Sequence, residues 1–113
     1  MNSNFLLIDL IQLGDEDFRK RFKGSPIKRI KRRGLLRNVA IALGNSKNPK
    51  AVPFLIKALN DKEPLIRAHT VWALGELLLS ESVPLLNEKL AEEEDSIVLG
   101  EIEAVRERFL RVS

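Results

Sequence analysis

Two phrases of this 113-residue chain are written twice at one spacing. Ala42-Leu43-Gly44 returns as Ala73-Leu74-Gly75, and Val52-Pro53-Phe54-Leu55 returns as Val83-Pro84-Leu85-Leu86, each displaced by 31 residues. The same shift, without a gap, pairs Leu59 with Leu90, Glu63 with Glu94, Ile66 with Ile97 and Ala73 with Ala104. A fixed period of this length marks a repeat architecture, in which one supersecondary unit is copied and stacked. It constrains the fold more than any single residue does.

Each unit reads as two helices. Leu36, Val39, Ala40 and Leu43 fall at i, i+3, i+4 and i+7 and make one apolar stripe. Gly44-Asn45 is expected to end that helix, because glycine takes the left-handed C-terminal conformation at little cost. Val52, Leu55, Ile56 and Leu59 repeat the stripe, with Pro53 tolerated in a first turn. Asp61 to Pro64 supplies a turn, and the next helix begins at Pro64 and runs to Leu78. Ser82-Val83-Pro84 opens another, through Leu90, and Asp95 or Ser96 caps a last helix ending at about Arg111. No polar–apolar alternation persists, so no strand is expected.

A two-helix unit this small cannot bury its own stripe and must stack on a neighbour. The expected fold is therefore all-α, an α–α superhelix with an N-terminal helical cap, in a single domain. Its parts are a cap and basic junction (1–34), a first repeat (35–64), a second repeat (65–95) and a half repeat or C-terminal capping helix (96–113). The stripe Phe5, Leu6, Ile8 and Leu13 reads as the capping helix, with part of it open to a missing domain or to self-association.

The charges are unevenly spread. Residues 1–17 hold four acids and no base, whereas residues 18–37 hold ten bases and no acid. Those ten are Arg19, Lys20, Arg21, Lys23, Lys28, Arg29, Lys31, Arg32, Arg33 and Arg37. An ordinary surface helix mixes signs, so this run points to a polyanion rather than to a merely solvated face. Clustered Lys and Arg neutralise phosphates and supply most sequence-independent nucleic-acid affinity. Ser25 with Pro26 reads as the start of a capped basic helix that ends at Gly34. Ile27 and Ile30 are expected to pack inward while Lys28, Arg29, Lys31, Arg32 and Arg33 fan outward.

Other classes of function fall away. With no cysteine the chain has no disulfide, no thiolate metal site and no cysteine-held iron–sulfur cluster. A single His, with no nucleophile–base pair and no phosphate-cradling glycine loop, leads to a non-catalytic chain with no cofactor of its own. The longest apolar run, Phe5–Leu13, is interrupted by Asp9 and is too short for a bilayer. It also lacks the pattern of a secretory signal, so the expectation is a cytoplasmic protein with no membrane partner.

Asp61, Pro64, Ile66, Arg67, Thr70 and Ala73-Leu74-Gly75 resemble the signature D-x-x-P-x-(V/I)-R-x-x-A-x-x-A-L-G of short HEAT-like repeats, with Thr70 in place of the usual Ala. This resemblance covers residues 35–105 and speaks to fold more than to function. The preceding segment, Asp15 to Asn45, resembles the stretch of epoxyqueuosine reductases that leads from a ferredoxin-like domain into a HEAT-like C-terminal domain. Phe18, Phe22, Gly24-Ser25, Lys28-Arg29, Arg33, Leu36-Arg37-Asn38 and Gly44-Asn45 carry it. Enzymes of that family reduce the epoxide of epoxyqueuosine at the tRNA wobble position, using a cobalamin and two four-iron clusters. This chain has none of the ligating cysteines and is too short for the cobalamin domain.

The resemblance therefore implies the C-terminal part of such an enzyme, or a stand-alone relative, without reductase activity by itself. It implies contact with a tRNA anticodon stem-loop and, as a second partner, the cobalamin and iron–sulfur domains of the same enzyme. Lys28, Arg29, Lys31, Arg32, Arg33 and Arg37 are the leading phosphate contacts, with Arg19, Lys20, Arg21 and Lys23 secondary. The alternative is a HEAT-like protein–protein scaffold whose groove holds an acidic partner.

Four further features have local readings. Trp72, flanked on one helix side by His69 and Glu76, most simply fills the gap between repeats, a base-stacking platform being its functional alternative. Arg67 is expected to bond helix ends or Asp61. Asn38 suits a base or a backbone partner equally. Glu92 to Asp95 reads as a solvated acidic turn before the last helix.

Overall fold

The computed structural model describes residues 3–110. Seven α-helices occupy it: α1 (Ser3–Ile11), α2 (Asp15–Arg21), α3 (Lys31–Ser46), α4 (Val52–Ala58), α5 (Pro64–Leu78), α6 (Ser82–Glu92) and α7 (Ser96–Leu110). Short 3₁₀ turns at Pro26–Ile30, Pro49–Ala51 and Leu79–Glu81 lead into α3, α4 and α6. There is no strand among the described residues. The all-α expectation holds; the expected end at Arg111 lies outside the described residues.

Helices α3, α5 and α7 form one row, and α1, α4 and α6 cover it: α1 on α3, α4 on α5, α6 between α5 and α7. The molecule is a slab of 52 × 33 × 18 Å, the thickness of two helix layers. Its core is the set of stripes read from the sequence. Leu36, Val39, Ala40 and Leu43 are buried, as are Leu55 and Leu59 of the second stripe. Ile56 departs from that set and is exposed, since α4 has only seven residues and shows one narrow face to α5. Ile66, Val71 and Leu74 of α5 and Val98, Ile102 and Val105 of α7 complete the interior.

The glycines of the repeated Ala-Leu-Gly phrase do something other than end helices. Helix α3 continues past Gly44 to Ser46, and Lys47 (φ 58°) takes the left-handed cap instead. Gly44 is buried where α3 meets α5. A Cβ placed on it would lie 2.7 Å from Trp72 Cζ3 and 3.0 Å from the Cα of Ala73. Gly75 stands in the same relation to α7, where a Cβ would come within 2.9 Å of Val105 Cγ1. The repeat thus places a missing side chain at each row contact, so that successive row helices approach closely near their C-terminal ends.

The junction also differs from expectation. Ser25 does cap, its Oγ accepting the N–H of Ile27, but the element it starts is a five-residue 3₁₀ turn. The chain breaks at Lys31 (φ 62°, ψ 162°), and Gly34 lies inside α3 rather than at a helix end. Ile27 and Ile30, expected inside, are exposed, because a five-residue 3₁₀ turn offers no continuous face to the core.

Candidate nucleic-acid interface

The ten bases separate into distinct environments. Helix α2 begins with Asp15, Glu16 and Asp17 and ends with Arg19, Lys20 and Arg21, an arrangement that suits the helix dipole at both ends. Phe18, 4% exposed, anchors that helix and its ring sits 5.1 Å from that of Phe22. Arg21 pairs with Asp9 at 2.7 Å, Lys20 with Glu16 at 3.4 Å, and Arg19 lies within the electrostatic reach of Asp15. These three bases are therefore partly compensated within the cap.

Arg32 is a structural clamp. Its Nε donates to the Leu13 carbonyl at 2.7 Å, while Nη1 and Nη2 donate to the two carboxylate oxygens of Asp61. Only 12% of its side chain is exposed. Asp61 in turn accepts the Glu63 N–H at 2.9 Å and so shapes the turn that leads into α5. One guanidinium thereby ties the loop after α1 to the turn after α4, and it does not fan outward as the sequence suggested. Beside it Lys62 pairs with Asp15, and that hydrogen bond holds the Asp15 carboxyl below its ordinary range.

Lys23, Lys28, Arg29, Lys31 and Arg33 are exposed, and none has an ion-pair partner among the described residues. They occupy one continuous stretch: the loop after α2, the 3₁₀ turn and the first turn of α3. Arg37, one turn further along α3, is half-buried and donates Nε–H to Asn38 Oδ1 at 3.2 Å. That contact gives the exposed Asn38 a local partner.

Arg67 fulfils its structural reading and acquires a partner that went unread. It bonds the carbonyls of Asp61 (2.8 Å) and Lys62 (3.1 Å), and it grips Glu93 through two hydrogen bonds of 2.9 and 3.0 Å. Glu93, expected in a solvated turn, has a side chain only 3% exposed. Burial pushes its carboxyl upward, but the Arg67 hydrogen bonds and the N–H groups of Asp95 and Glu94 outweigh this and hold it below the ordinary range. Asp95, not Ser96, caps α7 by accepting from Ile97 and Val98. At the opposite end of the row, Glu76 bridges Lys47 and Arg108, and the Arg108 bond draws its carboxyl below the usual range.

Across α3, α5 and α7 lies a groove of about 350 Å³ lined by Ile41, Ala68, His69, Trp72, Ile97 and Glu101. Trp72 is half-buried with its ring edge seated over Gly44, which agrees with its space-filling reading while leaving part of the ring accessible. Among the described residues no group of three or more His, Asp or Glu could hold a metal ion, and no helix is long and apolar enough to cross a membrane.

Comparison with known proteins bears on this arrangement. Over 70 residues the chain is 34% identical to an epoxyqueuosine reductase of Escherichia coli, covering 62% of this chain and 18% of that protein. The Salmonella typhimurium enzyme of that name is 29% identical over 101 residues, 89% of this chain and 26% of the enzyme. That of Pseudomonas aeruginosa is 37% identical over 75 residues, covering 63% and 20%. The chain thus spans about a fifth to a quarter of the length of the curated relatives it matches. No solved structure matches. A family model described as HEAT repeats matches residues 32–106, which take in all of α5 and most of α3 and α7, and the chain belongs to that family.

Proposed function

We propose that this chain is a non-catalytic, tRNA-contacting helical-repeat module that acts as the C-terminal part, or as a separate relative, of an epoxyqueuosine reductase in queuosine tRNA modification. The observation that carries this reading is the stretch of exposed, uncompensated bases Lys23, Lys28, Arg29, Lys31 and Arg33 next to the repeats. Folding does not need them: the residues that close the junction are Ser25, Arg32 and Leu36. Likeness to part of several enzymes named epoxyqueuosine reductase supports tRNA as the polyanion. The anticodon stem-loop is the expected ligand, the cobalamin and iron–sulfur domains of such an enzyme the expected neighbours, and the cytoplasm the expected site of action.

The test is binding to an anticodon stem-loop across a salt series. Replacement of Lys28, Arg29, Lys31 and Arg33 by Glu, with Arg32 kept, is expected to lower affinity by about a hundredfold or more and to flatten the salt slope by about one per lost phosphate contact. Unchanged affinity refutes the reading. Reductase turnover by the isolated chain would refute its non-catalytic part.

A further inference from the structure

We propose that the groove between α3, α5 and α7 is a pocket for one unstacked guanine base of the bound RNA, an inference that rests on the RNA-binding reading above. The cavity, about 350 Å³, falls at the lower end of the range of about 300–1,000 Å³ typical of small-ligand sites. Its walls are the apolar Ile41, Ala68 and Ile97, and its polar groups are Trp72, His69 and Glu101. Bases that leave a stack are held by aromatic faces and read on their Watson–Crick edge, and this lining supplies both functions.

Three details favour guanine. Trp72 is fixed by its seat over Gly44, so the indole is already in place before a base arrives. His69 Nδ1 lies 2.9 Å from the Leu65 carbonyl, which can only accept, so Nδ1 carries the hydrogen and, in the neutral ring, Nε2 is the acceptor. The Glu101 side chain makes no hydrogen bond or ion pair with any described residue, although it lines an apolar groove. The groove therefore offers acceptors. Guanine alone among the four RNA bases presents two adjacent donors, N1–H and the N2 amine, which match the two oxygens of one carboxylate. Adenine and cytosine set an acceptor beside their amine, and uracil flanks its one N–H with carbonyls.

Charge separates RNA from a peptide as occupant. Arg33, Arg37 and Ile41 follow one another at four-residue intervals on α3, so the groove wall continues directly into two guanidinium groups. A strand with its base on Trp72 has phosphates to offer that stripe, whereas a lysine- or arginine-bearing peptide would be repelled by it.

Trp72 is the only tryptophan, so intrinsic emission reads the groove alone. The intact chain is titrated with five-nucleotide uridine strands bearing a central guanine, inosine or adenine. The guanine strand is expected to quench emission, with inosine, which lacks the N2 amine, about tenfold weaker and adenine weaker still. Glu101→Gln, at a position without side-chain partners, removes the preference for guanine over inosine; Trp72→Phe, which has no emission to quench, retains stacking and is read by the anisotropy of a labelled guanine strand. Equal quenching by all three strands, or quenching by an arginine-rich peptide and not by RNA, overturns the proposal. Salt-dependent stem-loop binding without quenching overturns the pocket and leaves the RNA reading standing; absence of any RNA binding overturns both.

Discussion

Replacing Gly44 by Ala sets two opposed effects against each other. In a helix interior Ala is favoured over Gly by about 1 kcal/mol. At this position, however, the new Cβ would lie 2.7 Å from Trp72 Cζ3 and 3.0 Å from the Ala73 Cα. The second contact is with backbone and can be relieved only by moving α5 away from α3. Overpacking of this kind costs about 1–3 kcal/mol, and a backbone neighbour sets it near the upper end. The net result is a loss of about 2 kcal/mol, or a fall in Tm of about 8 °C for a domain of this size. Gly100→Ala is the control: it lies within α7 with nothing inside 4 Å of the added methyl group. It should gain about 0.5–1 kcal/mol. Gly34→Ala, whose nearest neighbour is Ile30 Cβ at 3.7 Å, should also be neutral or stabilising. Thermal and urea unfolding by circular dichroism give the values, with Trp72 emission as a local reporter. If Gly44→Ala stabilises as Gly100→Ala does, close helix approach is not the role of this glycine.

Three other outcomes are expected. Glu93→Gln leaves Arg67 without its anion and should cost about 2 kcal/mol by urea unfolding at neutral pH. Because the folded-state carboxyls of Glu93 and Glu76 are held below the ordinary 4.5, their stabilisation is present above that pH and is lost as pH falls through the lowered values. The acid limb of the stability curve should therefore be shallower in Glu93→Gln and in Glu76→Gln. Lys31→Gly relieves a backbone conformation (φ 62°, ψ 162°) that only glycine adopts readily, and should raise stability by about 1 kcal/mol or more while removing one base from the RNA surface.

The repeats were legible because their information is local and periodic. A stripe such as Leu36, Val39, Ala40 and Leu43 states both the helix and its buried face, and Asp95 states a cap. Where a residue's role depends on a distant partner, local rules misled. Gly44 looked like a helix end because glycine usually marks one; its actual neighbours, Trp72 and Ala73, lie on the next row helix. Arg32 looked like its exposed neighbours because nothing within its own segment points to Asp61. The repeat register does not announce the clamps either. Asp61 and Glu92-Glu93 lie in corresponding turns and each turn offers a carboxylate to an arginine near the start of the row helix before it, but Arg32 and Arg67 do not match under the 31-residue shift, which pairs Arg67 with Leu36. The Trp72 groove could not be foreseen from spacing, since Ile41, Trp72 and Ile97 come from three successive units.

Arg32 has a mechanical consequence. Its own attachment to α3, its bond to the Leu13 carbonyl and its grip on Asp61 fix three separate parts of the chain relative to one another. Three points define a plane, so the cap cannot swivel on the solenoid without breaking that set. A body joined ahead of α1 would be carried as a lever arm whose bearing depends on this guanidinium together with the packing of α1 on α3, and loosening that joint would change where the arm points rather than whether either part is folded.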